Sequence, residues 1–190
     1  MRRRSVLLSV VTSALTGGLA LGRSREVAAR QAPSSLADHP MAGMWMAMAN
    51  QAPGAPQVPV PSYLGADGTV LLVFPVTQVG RQGVEFVTPY TGTWEADGER
   101  RAHFTATQLL SDASGAFLGS VTVDGYPEAS ADGETFTDDN ARVMVTVRDA
   151  AGAVVQQMSG ADAPPITGIR MAPGASGFPD SAGGAATPTA

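Results

Sequence analysis

The Asp-Gly dipeptides Asp67-Gly68, Asp97-Gly98 and Asp132-Gly133 punctuate the middle of the chain. Asp-Gly between apolar runs is the strongest short-range hairpin signal, because the tightest turns need the positive φ that Gly adopts freely. Ser114-Gly115 and Ala151-Gly152 mark two further turns. Between these marks lie runs rich in Val, Thr, Phe and Tyr, at residues 69–75, 90–96, 100–110, 117–128, 135–148, 153–159 and 166–171. Alternation is clearest where Val143, Val145 and Val147 interleave with Met144, Thr146 and Arg148, and where Val121 and Val123 interleave with Ser120, Thr122 and Asp124. Each such stretch reads as one buried and one wet face. The stretch 42–49, AGMWMAMA, opens the series, and no helical period follows Trp45. The expected fold is all-β: an antiparallel up-and-down barrel of eight or nine strands. Its first strand is free to pair with its last, and closure removes exposed sheet edges.

The flanks have another character. Residues 1–22 begin with Arg2, Arg3 and Arg4 and continue into a diluted apolar run over 6–21. Small residues follow at Ala20-Leu21-Gly22, with Val27-Ala28-Ala29 as a second cleavage option. This is the pattern of an export signal. Arg3-Arg4-Ser5-Val6-Leu7 also resembles the twin-arginine motif, so the twin-arginine and general secretory routes both stand open. The apolar run is shorter than the ~18–20 residues of a spanning helix, so no stable membrane anchor is expected. Residues 23–41 read as a linker, in which 34–40 could form one helical turn. The folded domain is expected over 42–172. Residues 173–190 are Gly, Ala, Pro, Ser and Thr almost throughout, too apolar-poor to offset their ordering entropy. The four prolines of 51–61 argue for an extended loop there rather than a central strand.

Charge and residue usage exclude several functions. All 12 basic residues are Arg, and the net charge is −5. Removing residues 1–22 with their three arginines would take the charge from −5 to −8. Such a surface suits neither nucleic acid nor an anionic membrane. With no Cys, disulfides and thiolate chemistry are excluded. His39 and His103 are the only histidines and lie far apart, too few for an expected metal site. His103 shares the polar face of a strand with Arg101, Thr105 and Thr107, and reads as solvated. Asp138-Asp139-Asn140 lacks the spacing of a calcium loop and reads as a polar bulge. No nucleophile elbow, selected carboxylate pair or phosphate loop is present, so neither a catalytic residue nor a cofactor is assigned.

Gly43-Met44-Trp45 in the first strand, the run of hairpins, and Arg170 in Gly168-Ile169-Arg170 of the last strand resemble the calycin superfamily, which includes the lipocalins. TGTWEADG at 91–98, DASGAFLGSVTV at 112–123 and ITGIR at 166–170 look like a group of bacterial exported lipocalin-like proteins of undefined role. The resemblance implies that Trp45 plugs one end of a barrel and that Arg170 lies across it as a cation over an aromatic face. Gly43, Trp45 and Arg170 are thus structural candidates.

An eight-stranded barrel has room for packed side chains or one small ligand. The expected inward residues are Trp45, Phe74, Tyr90, Trp94, Phe104, Phe117, Val121, Val123, Val143 and Val145, interleaved with Ala47, Ala49, Gly92, Ala102, Ala106 and Gly119. Phe74, Tyr90, Trp94, Phe104, Phe117, Val121 and Val143 are the candidate ligand-binding residues, with loops 51–61 and 76–88 at the mouth. The expected function is an exported barrel that binds a small hydrophobic ligand. Two alternatives remain: a cavity-shaped cyclase or isomerase of the allene oxide cyclase or dirigent type, and a filled barrel serving as an interaction domain. A buried polar group such as Glu95, Gln108 or Tyr126 would favour the enzyme. Met44, Met46 and Met48 are expected on the outer face, where they are candidates for a homodimer contact, unless the strand's parity is inverted.

Overall fold

The computed structural model describes residues 35–51, 54–80 and 83–174. The export signal over 1–22, residues 23–34 of the linker and residues 175–190 of the tail lie outside the described residues. A short 3-10 turn, η1, spans Leu36–Asp38. The strands are β1 Gly43–Asn50, β2 Gln57–Leu64, β3 Thr69–Leu72, β4 Thr77–Gly80, β5 Gly83–Val87, β6 Tyr90–Ala96 and β7 Ala102–Ser111. They continue as β8 Phe117–Gly125, β9 Glu128–Ala129, β10 Thr135–Asp138, β11 Met144–Asp149, β12 Val154–Ser159 and β13 Ile166–Arg170.

All named pairings are antiparallel and belong to one curled, half-barrel-like sheet, compatible with a calycin-like fold. Its path runs β12-β11-β8-β7-β6-β3-β2-β1-β13-β10-β9, with the β4–β5 hairpin attached to β7. First and last strands meet: Trp45 stands opposite Arg170, and Ala47 opposite Gly168. At the path's other end, Glu128 of β9 bridges Arg101, in register with the β7–β8 pair Phe104 and Gly125. One bridge thus links β9, at one end of the path, to the start of β7, whereas β12 stands at the path's opposite end.

The core follows the period of two. Trp45, Ala47 and Ala49 of β1, Val60 and Leu64 of β2, Tyr90 and Trp94 of β6, and Ala102 and Ala106 of β7 share one buried cluster with Met41, Val70, Ala129 and Phe136. Small and large residues alternate across the sheet. Gly125 lies beneath the ring of its cross-strand partner Phe104, and Gly168 beneath that of Phe136. Each aromatic covers a position where a Cβ would find no room.

Three sequence expectations are corrected. Residues 51–61 are not all loop, because β2 begins at Gln57 and holds Pro59 and Pro61 between β1 and the line of β3. The Pro61 carbonyl accepts from Val73 N–H, so the backbone groups of Pro59 and Pro61 face the β3 side. β3 pairs only with Ser62–Leu64, and the ladder ends at Leu72, where Pro61 has no N–H to return the bond from Val73. Residues 76–88 are likewise not a loop but contain the β4–β5 hairpin. The run 135–148 is broken at 139–143, where Asn140 adopts φ 62°. Asp138 fills that break: Oδ2 accepts from Tyr126 N–H at 2.6 Å and Oδ1 from Asn140 N–H at 2.9 Å.

The turns are held by aspartates whose carboxylates accept neighbouring N–H or hydroxyl groups, at Asp67, Asp112 and Asp132. Asp97 accepts from Arg101 and Arg142, each at 2.8 Å. These hydrogen bonds hold the four carboxyls below the ordinary aspartate value of 3.8. A carboxyl whose folded pKa is depressed stabilises the fold above its unfolded value and loses that contribution as pH falls through the folded one. Burial raises Asp138 instead, so acid relieves it. Four depressed groups oppose one raised group. Thermal melts are therefore expected to shift to lower temperature as pH drops below 3.8. A melting temperature that held or rose in acid would contradict this.

Candidate functional site

Trp45 and Arg170 meet at one end of the β1–β13 pairing. Trp45 is fully buried and donates Nε1–H to the Met41 carbonyl at 2.9 Å. The Arg170 guanidinium lies 4.2 Å above its ring. Arg170 Nε donates to Gly133 O, Nη1 to Ala42 O and Nη2 to Pro40 O, tying the last strand to the segment ahead of the first. Gly43, at φ 127°, leaves the space that Arg170 Nη1 takes. Trp94 packs at the same end and donates to Gly65 O at 2.7 Å. His39 meets Trp94 edge-on, accepts from Met41 N–H through Nδ1 and reaches Gly98 O at 3.2 Å through Nε2. This arrangement fits the neutral tautomer with hydrogen on Nε2. The η1 turn is thereby fastened under the Asp97-Gly98 hairpin.

A second group on the same core comprises Phe74, Tyr90, Gln108, Val121 and Val123. Phe74 and Tyr90 meet edge to face with centroids 5.6 Å apart. Tyr90 is buried, and Phe74, Val121 and Val123 are partly buried against the core. Burial pushes the Tyr90 phenol well above its ordinary range, offset in part by the Gln108 side chain beside it. The strands thus bring together Phe74 and Tyr90, with Val121 and Phe104 packed on the same core. Trp94 instead meets His39 and Gly65.

Two of the expected ligand residues lie elsewhere. Phe117 is 50% exposed, not inward. The β7–β8 register shifts between Leu110 and Ser111, so Ser111 faces Phe117, and Gly119 just before the shift takes φ 146°. That bulge turns the first residues of β8 away from the interior. Val143 is buried, but it sits in the break between β10 and β11 against Gly160, outside the core cluster. The methionine stripe is also not uniform: Met44 is exposed at 42%, Met48 is half-buried, and Met46 is buried although outside the core cluster.

The outer face carries a cluster that the sequence pattern did not single out. The Tyr126 ring is stacked on His103 at 4.5 Å, with the planes 2° apart, and under the Arg142 guanidinium at 3.8 Å. His103 Nδ1 lies 3.3 Å from Glu95, and Nε2 4.0 Å from Asp124. His103 is therefore paired and stacked rather than simply solvated. Asp97 joins Arg101 and Arg142, which lie 41 positions apart in sequence, so only the folded sheet reveals the group. The cluster borders an open cleft of about 380 Å³ lined by Arg101, Tyr126, Glu128, Phe136 and Arg142 among others. A shallower groove of about 220 Å³ lies beside Trp94, Glu95 and His103. Among the described residues, no group of three or more His, Asp or Glu is placed to hold a metal ion. No described helix is long and apolar enough to cross a membrane.

No protein-family model matches the chain, and no curated protein or solved structure matches it.

Proposed function

We propose that the curled sheet is a calycin-like, lipocalin-type barrel that takes up one small apolar molecule between its strands. Five continuations along the chain, β3 into β4, β5 into β6, β8 into β9, β10 into β11 and β12 into β13, reduce the thirteen strands to eight. The observation that carries the reading is the apolar group that Phe74, Tyr90 and Val121 add to the core, in a sheet whose β1–β13 pairing is covered by Trp45 under Arg170. Apolar walls with few polar groups are what a small hydrophobic ligand requires. The calycin likeness of Gly43, Trp45 and Arg170 supports the same reading, and the Arg-led segment 1–22 supports an exported protein.

Titration with diphenylhexatriene, a hydrocarbon that fluoresces in apolar surroundings, is the test. Saturable binding near one molecule per chain is expected. Fluorescence that rises only linearly with protein concentration would refute it.

A second reading is favoured by one observation. The Tyr90 phenol, kept protonated by burial, stands beside the buried Gln108 amide. A cyclase or isomerase that works by shaping its cavity needs little more than such a pair. Recovering the ligand chemically unchanged after long incubation would leave binding as the function, and a rearranged product would establish the enzyme.

A further inference from the structure

Five polar or charged side chains are buried among the described residues: Ser62, Glu85, Gln108, Asp138 and Asn140. Four have partners. Ser62 donates to Val60 O, Glu85 accepts from Gln78, Asp138 accepts two backbone N–H groups, and Asn140 donates to Pro164 O. Gln108 differs. It is 3% exposed, and no described residue donates to its buried Oε1. Leaving such an acceptor unmet costs about 1–3 kcal/mol, so buried polar atoms almost always have a partner.

The position of Gln108 shows what kind of partner fits. The β6–β7 register sets Thr91 opposite Thr107 and Gly92 opposite Ala106, which brings Tyr90 and Gln108 side by side. Leu72, Phe74 and Val121 make the surroundings apolar. Tyr90 is four residues along β6 from Trp94, about 13 Å at the usual strand rise. When the Gln108 amide N–H donates to the phenol oxygen, two functions stay free: the phenol O–H as donor and Oε1 as acceptor. A neutral hydroxyl matches both, donating to Oε1 and accepting from Tyr90. A carboxylate has no proton for Oε1, and Arg170 is committed to the carbonyls of Gly133, Ala42 and Pro40.

We propose that Gln108 and Tyr90 are the polar anchor of the interior site, and that its ligand is an apolar molecule bearing a neutral hydroxyl, of the long-chain or terpenoid alcohol class. The proposal rests on the binding reading above. Burial keeps the phenol protonated, which preserves it as the donor.

The test is displacement of diphenylhexatriene from the full chain by 1-decanol, decyl methyl ether and decanoate. Decanol is expected to displace the probe at roughly tenfold lower concentration than either analogue, the worth of one or two well-placed hydrogen bonds. Gln108→Leu should erase that preference while the probe still binds. Gln108→Glu, which keeps an acceptor, serves as a second variant should the leucine form fail to fold. Equal displacement by alcohol and ether, or a preference that survives Gln108→Leu, overturns the anchor, as it would if a water met Oε1. In either case saturable probe binding leaves the binding reading standing. Absence of saturable probe binding overturns both.

Discussion

Trp45→Ala is expected to cost about 3–5 kcal/mol, a large share of the roughly 5–15 kcal/mol that holds an ordinary domain together. The indole is fully buried at the seam between first and last strands. Its removal would open a cavity beneath Phe136, whose ring meets it edge-on at 5.2 Å. It would also strip the Met41 carbonyl of its donor and the Arg170 guanidinium of the ring 4.2 Å below it. A cation over an aromatic face is worth about 0.5–2 kcal/mol by itself, so most of the loss is packing. Trp45→Phe, which keeps a ring but not the N–H, should recover more than half of the stability. Urea midpoints of the three proteins settle the matter. An alanine form within 1 kcal/mol of the parent (about the average for any substitution) would mean that the seam is not where the sheet is held.

Gly92→Ala has the second-largest expected effect. Gly92 lies on β6 between the buried residues Tyr90 and Trp94. A Cβ there would stand 1.9 Å from the Thr105 carbonyl oxygen and 2.7 Å from Ala106 Cα. Both are backbone atoms of the paired strand β7, which cannot move aside as a flexible side chain would. The sheet coils so tightly at this point that only a residue without a side chain fits. Overpacking costs about 1–3 kcal/mol, and more when the obstacle is backbone. The urea midpoint should fall accordingly, and any hydrophobic probe should bind more weakly, because Tyr90 would move with the strand. A neutral Gly92→Ala would show that β6 and β7 part easily there.

Tyr90, Trp94, Ala102 and Ala106 came to the buried side because side chains alternate along a strand, and a reader of the sequence can count by twos. The Asp-Gly turns and the Trp45–Arg170 pair were equally legible, the first from local turn chemistry and the second from the calycin resemblance. Phe117 failed the same count because a bulge at Leu110 and Ser111 shifts the register, and a bulge depends on both strands at once. Pro59 and Pro61 misled in the opposite direction. Their missing N–H groups face the β3 side only, and β3 ends where Pro61 cannot return the bond from Val73, while the pairing with β1 is unaffected.

What the chain determines alone is local: strands with one apolar face, turns held by aspartate and glycine, and a small-residue rhythm between large side chains. What only the folded sheet decides is which groups are left facing one another. Arg142 reaches Asp97 and covers Tyr126 across distant strands, and Gln108 alone among the buried polar side chains ends with an oxygen that no described residue serves. The reason is physical. Periodicity and turn preference act within a few residues, whereas pairing, exposure and hydrogen-bond satisfaction are properties of neighbours that the closing of the sheet brings together.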